Sequence, residues 1–118
     1  MKKVYYLATC DTCKRILNEL QLPSEFLKHE IKHKEIPVKE LEILQKLAGS
    51  YEALFSKRAK LYKERGLKDE LLTEDDYKRF ILEHYTFLKR PVVVNENDIF
   101  IGNSKKTVEA AKASIHKP

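Results

Sequence analysis

Val4-Tyr5-Tyr6-Leu7-Ala8-Thr9-Cys10-Asp11-Thr12-Cys13 is the stretch that decides the fold. Its apolar first half reads as a strand. Its second half opens a helical pattern that Ile16, Leu17 and Leu20 continue. A strand therefore gives way to a helix at a Cys-x-x-Cys motif. Backbone N–H groups at a helix start point outward without partners, and they and the helix dipole favour negative charge. The first thiol is placed to be a thiolate, the reactive form, whose pKa in such settings falls to roughly 3.5–7.5.

Outward from this junction the chain alternates. A strand at about Lys3–Leu7 and a helix at about Asp11–Leu20 are followed, after Leu22-Pro23-Ser24, by a strand near Glu25–Ile31. Pro37 stands at a helix start, and Leu41, Leu44, Leu47 and Ala48 keep helical spacing up to Gly49. Short helical pieces are expected at Tyr51–Phe55 and at Leu61–Arg65, the latter ended by Gly66. Thr73 caps a further helix whose first turn is acidic and whose apolar face carries Tyr77, Phe80, Ile81 and His84. A strand at Val92–Val94, a turn at Asn95-Glu96-Asn97, a strand at Ile99–Ile101 and a helix from Ser104 to about Ile115 complete the chain. The order is βαβ, a block of helices, then ββα. This predicts one α/β domain over residues 1–118, with a mixed sheet of thioredoxin/glutaredoxin-like outline and a helical insertion at about 37–87.

The totals agree with a single modest core: 118 residues, 42% hydrophobic and 35% charged. Met1-Lys2-Lys3 begins like an export signal, but the apolar run behind it is too short for one, and no stretch approaches membrane-spanning length. The expected location is the cytoplasm. Two cysteines exclude a disulfide framework, and a close pair in such a chain points to redox or metal chemistry. The net charge of +5 would suit anionic partners, although basic and acidic residues are interleaved as on ordinary helix surfaces. No recognition-helix motif argues for direct nucleic-acid binding.

Two further elements carry chemistry. Pro91, between Arg90 and Val92-Val93-Val94, reads either as a strand-entry proline or as a cis proline packed beside Cys10. Arg58 lies between helical pieces, either as a solvated loop charge or as one arm of an oxyanion site with Arg90.

Cys10-x-x-Cys13-Lys14, the run from Ser56 through Arg58 to Leu67, and Leu88-Lys89-Arg90-Pro91-Val92-Val93-Val94 together resemble the signatures of the arsenate reductase (ArsC)-like family. That family includes glutaredoxin-coupled arsenate reductases, small thiol reductases and Spx-type transcriptional regulators. The resemblance implies that Cys10 is a nucleophile and that Arg58 and Arg90, with Lys14, hold an oxyanion or the carboxylates of glutathione. It also implies that Pro91 is cis. No bound cofactor or metal is implied; electrons would come from glutathione and glutaredoxin, or from thioredoxin through Cys13. The chain departs from the arsenate reductases twice. The family's third arginine, after the last strand, is absent: Gly102-Asn103-Ser104-Lys105-Lys106-Thr107 offers only lysines, which lack the planar guanidinium fork. This counts against arsenate as the substrate. Cys13 is the second departure. It reads as a resolving thiol, as a small buried helix residue, or as half of an Spx-type redox switch on a protein that binds RNA polymerase.

Cys10-x2-Cys13, fifteen residues, then His29-x3-His33 also matches zinc-finger spacing. Its context is wrong: a helical pattern follows the cysteines at once, and His29 falls in an expected strand.

Overall fold

A computed structural model describes all residues, Met1–Pro118. The chain forms two compact units, one of Met1–Lys34 with Arg90–Pro118 and one of Glu35–Lys89. The first holds strand β1 (Lys2–Tyr6), helix α1 (Asp11–Leu20) and strand β2 (Leu27–Glu30). After the second unit it resumes with β3 (Val92–Asn95), β4 (Asp98–Ile101) and α5 (Lys105–Ile115). The sheet order is β2-β1-β3-β4. β1 runs parallel to β2, with Tyr6 opposite Glu30, and antiparallel to β3, with Val4 opposite Val93. β3 and β4 form a hairpin. The mixed sheet and its βαβ and ββα halves are those expected from the sequence.

Helix α1 forms where the sequence predicts it, because Cys13, Ile16 and Leu20 recur at helical spacing and are all buried. They turn towards the sheet. Ile16 and Leu20 join Val4, Phe26, Val93, Val108 and Ala111 in one apolar cluster. α5 packs on α1 and β4 and closes this face. Tyr5, Val92 and Val94, on alternate positions of β1 and β3, are fully buried as well. The Ser104 hydroxyl caps α5 by accepting the Thr107 N–H at 3.1 Å.

The second unit contains α2 (Val38–Ala48), α3 (Lys60–Glu64) and α4 (Glu74–Glu83), joined by 3₁₀ turns at Glu52–Leu54 and Leu67–Asp69 and followed by one at Tyr85–Phe87. Pro37 precedes α2 and Gly49 ends it in the left-handed region, at φ 95°. Phe55 is the hub of the aromatic core, stacking on Phe87 at 5.3 Å and meeting Tyr62, Tyr77 and Phe80. Thr73 and Asp76 make a reciprocal capping box at the start of α4. The sequence pattern carried α4 on to His84. The helix instead stops at Glu83, and His84 is extended and accepts the Thr86 N–H through Nδ1 at 3.1 Å. No helix is long and apolar enough to cross a membrane.

Because Ile16 anchors the helix that follows Cys10, Ile16→Ala should destabilise the protein by about 2–5 kcal/mol. Urea denaturation measures this; a loss well under 1 kcal/mol would mean that α1 is held by something other than this cluster.

Candidate thiol site

The chain leaves β1 through a tight turn in which the Cys10 N–H donates to the Leu7 carbonyl at 3.1 Å. Cys10 is then the cap of α1, with φ −92° and ψ 114°, and its carbonyl accepts the Lys14 N–H at 3.1 Å. Cys10 is partly exposed, whereas Cys13, one turn into the helix, is fully buried; both are free thiols. The Cys10 sulfur makes no formal cap hydrogen bond, yet the N–H groups of Cys13 and Thr12 lie near enough to stabilise its thiolate.

The two thiols differ sharply. For Cys10, burial favours the neutral form but is outweighed by the Cys13 N–H, the Cys13 thiol, the Thr12 N–H and the positive charge of Arg90, so its pKa is lowered. Burial pushes the Cys13 thiol up to about 11, and the neighbouring Cys10 thiolate adds to this. The arrangement is a partly exposed thiol whose thiolate is favoured beyond that of a free cysteine, beside a buried one that stays protonated at neutral pH and hydrogen-bonds to it.

Arg90 and Pro91 reach this site through β3. The Arg90–Pro91 peptide bond is cis. The Pro91 carbonyl accepts the Gly102 N–H at 2.9 Å, and Gly102, at φ 96°, takes a conformation that disfavours any side chain. The end of β4 thus fixes the segment that carries Arg90. The structure brings Cys10, Cys13 and Arg90 together. Lys14 lies on the exposed side of α1. Arg58 belongs to the other unit, exposed in the turn before α3. That turn follows Leu54–Ser56, which pairs with Phe87–Lys89: Ser56 N–H donates to the Phe87 carbonyl at 2.7 Å and Lys89 N–H to Leu54 at 2.8 Å. Lys105 and Lys106 are exposed in the first turn of α5, the end of a helix where cations are disfavoured.

The zinc-finger spacing does not assemble a site. His29 is buried in β2, its Nε2 donating to the Lys34 carbonyl at 2.7 Å, and His33 is exposed and pairs with Glu30. No group of three His, Cys, Asp or Glu side chains is placed to hold a metal. Glu30 is a residue that sequence reasoning missed: its carboxylate contacts the turn before Cys10, twenty-two residues away in the chain, and no local pattern signals this.

The model of the ArsC family matches residues 5–111. The chain belongs to the ArsC family. It is 23% identical to the global transcriptional regulator Spx of Bacillus subtilis over 112 residues, which cover 92% of this chain and 84% of the regulator. Among solved structures it resembles an arsenate reductase from Vibrio cholerae, with 26% identity, 93% and 98% of the two chains covered and a TM-score of 0.70. It also resembles an ArsC family related protein from Bacteroides fragilis, with 25% identity, 93% and 96% coverage and a TM-score of 0.75. These likenesses confirm the thioredoxin-like fold expected for ArsC proteins.

Replacing Arg90 removes a positive charge that lowers the Cys10 pKa. Arg90→Gln should therefore move the pH midpoint of Cys10 alkylation upwards and slow the reaction at pH 7, where less thiolate would be present. A midpoint unchanged by the substitution would show that Arg90 does not act on the sulfur.

Proposed function

We propose that this protein is a thiol oxidoreductase in which Cys10 attacks and Cys13 resolves. The observation that carries this reading is the opposed perturbation of the two thiols: the accessible one is biased towards thiolate and the buried one is held up at about 11.

The Cys10 thiolate would attack the sulfur of an oxidised thiol compound, forming a mixed disulfide and releasing the other sulfur as a thiolate. Cys13, on losing its proton, would attack the Cys10 sulfur. That step closes a Cys10–Cys13 disulfide and expels the second substrate thiolate, so two electrons pass from the pair to the substrate. With an oxyanion as substrate, Cys10 would displace an oxygen as water. Cys13 would then attack the sulfur of the adduct and release the reduced oxyanion. Glutathione with glutaredoxin, or thioredoxin, would return the two electrons. Arg90, and Arg58 with Lys14, are the proposed holders of the anionic substrate, guanidinium being suited to bidentate contact with oxygens. The absence of an arginine after β4 favours an anion other than arsenate. A cytoplasmic location would fit this reductive chemistry.

A second reading is a redox-sensing regulator that contacts RNA polymerase, with the same cysteine pair as its switch. The similarity to Spx over 84% of that regulator's length supports it. Turnover separates the two. The purified protein should reduce arsenate or a low-molecular-weight disulfide with one of the two reductant systems. Cys10→Ser should abolish that turnover and Cys13→Ser should stop it at the Cys10 adduct. Absence of turnover, together with oxidation-dependent recovery of RNA polymerase in a pull-down, would favour the regulator. Arg58→Ala should lower kcat/KM by about tenfold or more, the scale of a lost charge-assisted hydrogen bond, without changing the circular dichroism spectrum. Undiminished activity in that variant would remove Arg58 from the substrate site.

A further inference from the structure

We infer that Glu30 is a positioning residue for Cys10: its carboxylate clamps the turn that presents the nucleophile to the turn that follows β2. This inference rests on the reading of Cys10 as the attacking thiol. Between β1 and α1 the chain makes a four-residue turn from Leu7 to Cys10, closed by the Cys10 N–H on the Leu7 carbonyl. The amide of Ala8, second in that turn, points away from it and donates to Glu30 Oε2 at 3.0 Å. The other oxygen, Oε1, accepts the His33 N–H at 2.8 Å and meets His33 Nδ1 at 3.1 Å.

The placement follows from register. Glu30 is the last residue of β2 and lies opposite Tyr6, the last residue of β1. The Ile31 N–H on the Tyr6 carbonyl at 2.9 Å extends the pairing by one step. The carboxylate therefore stands where β1 ends and the chain swings towards Cys10. The Glu30 side chain is 18% exposed, so its bond to the Ala8 amide is partly shielded from solvent. Burial favours the neutral acid, but the N–H groups of Ala8 and His33 and the His33 ring outweigh it and lower the Glu30 pKa, keeping the acceptor ionised.

The hydrogen bonds of Glu30 go to Ala8 and His33 rather than to the Cys10 sulfur, so its action is geometric. Fixing Ala8 fixes the turn, and the turn fixes the cap conformation in which the sulfur faces the Thr12 and Cys13 N–H groups. Released from Glu30, the Ala8 amide would seek water, the turn would loosen, and the sulfur would spend less time over those donors. The chemistry of the thiol would move towards that of an ordinary cysteine.

The test is the pH dependence of Cys10 alkylation by iodoacetamide in the full, reduced chain, read by peptide mapping. Glu30→Ala should raise the midpoint and slow alkylation at pH 7 by about tenfold, the scale of one charge-assisted hydrogen bond. Glu30→Gln keeps one acceptor oxygen and should fall between it and the wild type. Asn95→Ala is the control. Asn95 Nδ2 donates to Ser114 O at 3.2 Å and to its Oγ at 3.0 Å in the same unit but away from the turn, so its loss should leave the midpoint where it is. A wild-type midpoint in folded Glu30→Ala, or an equal rise in Asn95→Ala, would overturn the inference. If Glu30→Ala does not fold, Glu30→Gln decides: a raised midpoint supports the clamp and an unchanged one overturns it. An ordinary midpoint near 9.0 in the wild type would instead overturn the nucleophile reading, and the clamp with it.

Discussion

Hydrogen bonding of β1 along both of its edges is the constraint on which the rest depends. β2 and β3 flank it, so β1 cannot shift without breaking two ladders. Its end is therefore a fixed point. Leu7, just beyond it, is buried, and Ile16 and Leu20 must return to the face that carries Val4 and Val93. Between these demands only Ala8, Thr9 and Cys10 are left to make the turn. Cys10 stays partly exposed because the core claims Leu7 before the turn and Cys13, Ile16 and Leu20 after it, but not the turn itself.

The same arrangement accounts for the divergence of the two thiols. Cys13, Ile16 and Leu20 share the buried side of α1 by helical spacing, so the second cysteine of the motif enters the core. The first is the cap, outside the helix proper, where unpaired N–H groups collect. Three residues separate an environment that disfavours thiolate from one that favours it. Arg90 adds positive charge to both, and the differences in burial and hydrogen bonding decide which thiol ionises. The two unlike thiols thus need no separate machinery. A Cys-x-x-Cys at a strand-to-helix junction, with a buried helix face behind it, supplies both environments.

What was legible in the sequence was what local patterns encode. The bounds of α1 follow from its apolar spacing, those of α2 from Pro37 and Gly49, and that of α4 from Thr73 and its acidic first turn. The β3–β4 hairpin follows from two apolar runs about a polar turn. The 3₁₀ turns at Leu67–Asp69 and Tyr85–Phe87 are too short to show a period, and the extended His84 was hidden because its spacing continues that of Tyr77 and Ile81. At the thiol site, Cys10 and Cys13 were legible from the motif, and Arg90 was legible as a candidate anion-binding arginine that the family's signatures reinforced. Glu30 was not legible at all. It contacts the turn before Cys10 only because parallel pairing of β1 and β2 brings residues twenty-two apart to the same end of the sheet.

The central claim, that one thiol attacks while the other waits protonated, is tested most directly by treating the reduced protein at pH 7 with a limiting amount of iodoacetamide and locating the label by mass spectrometry. The account predicts label on Cys10 with Cys13 essentially unmodified. Equal labelling of the two cysteines, or preference for Cys13, would contradict it.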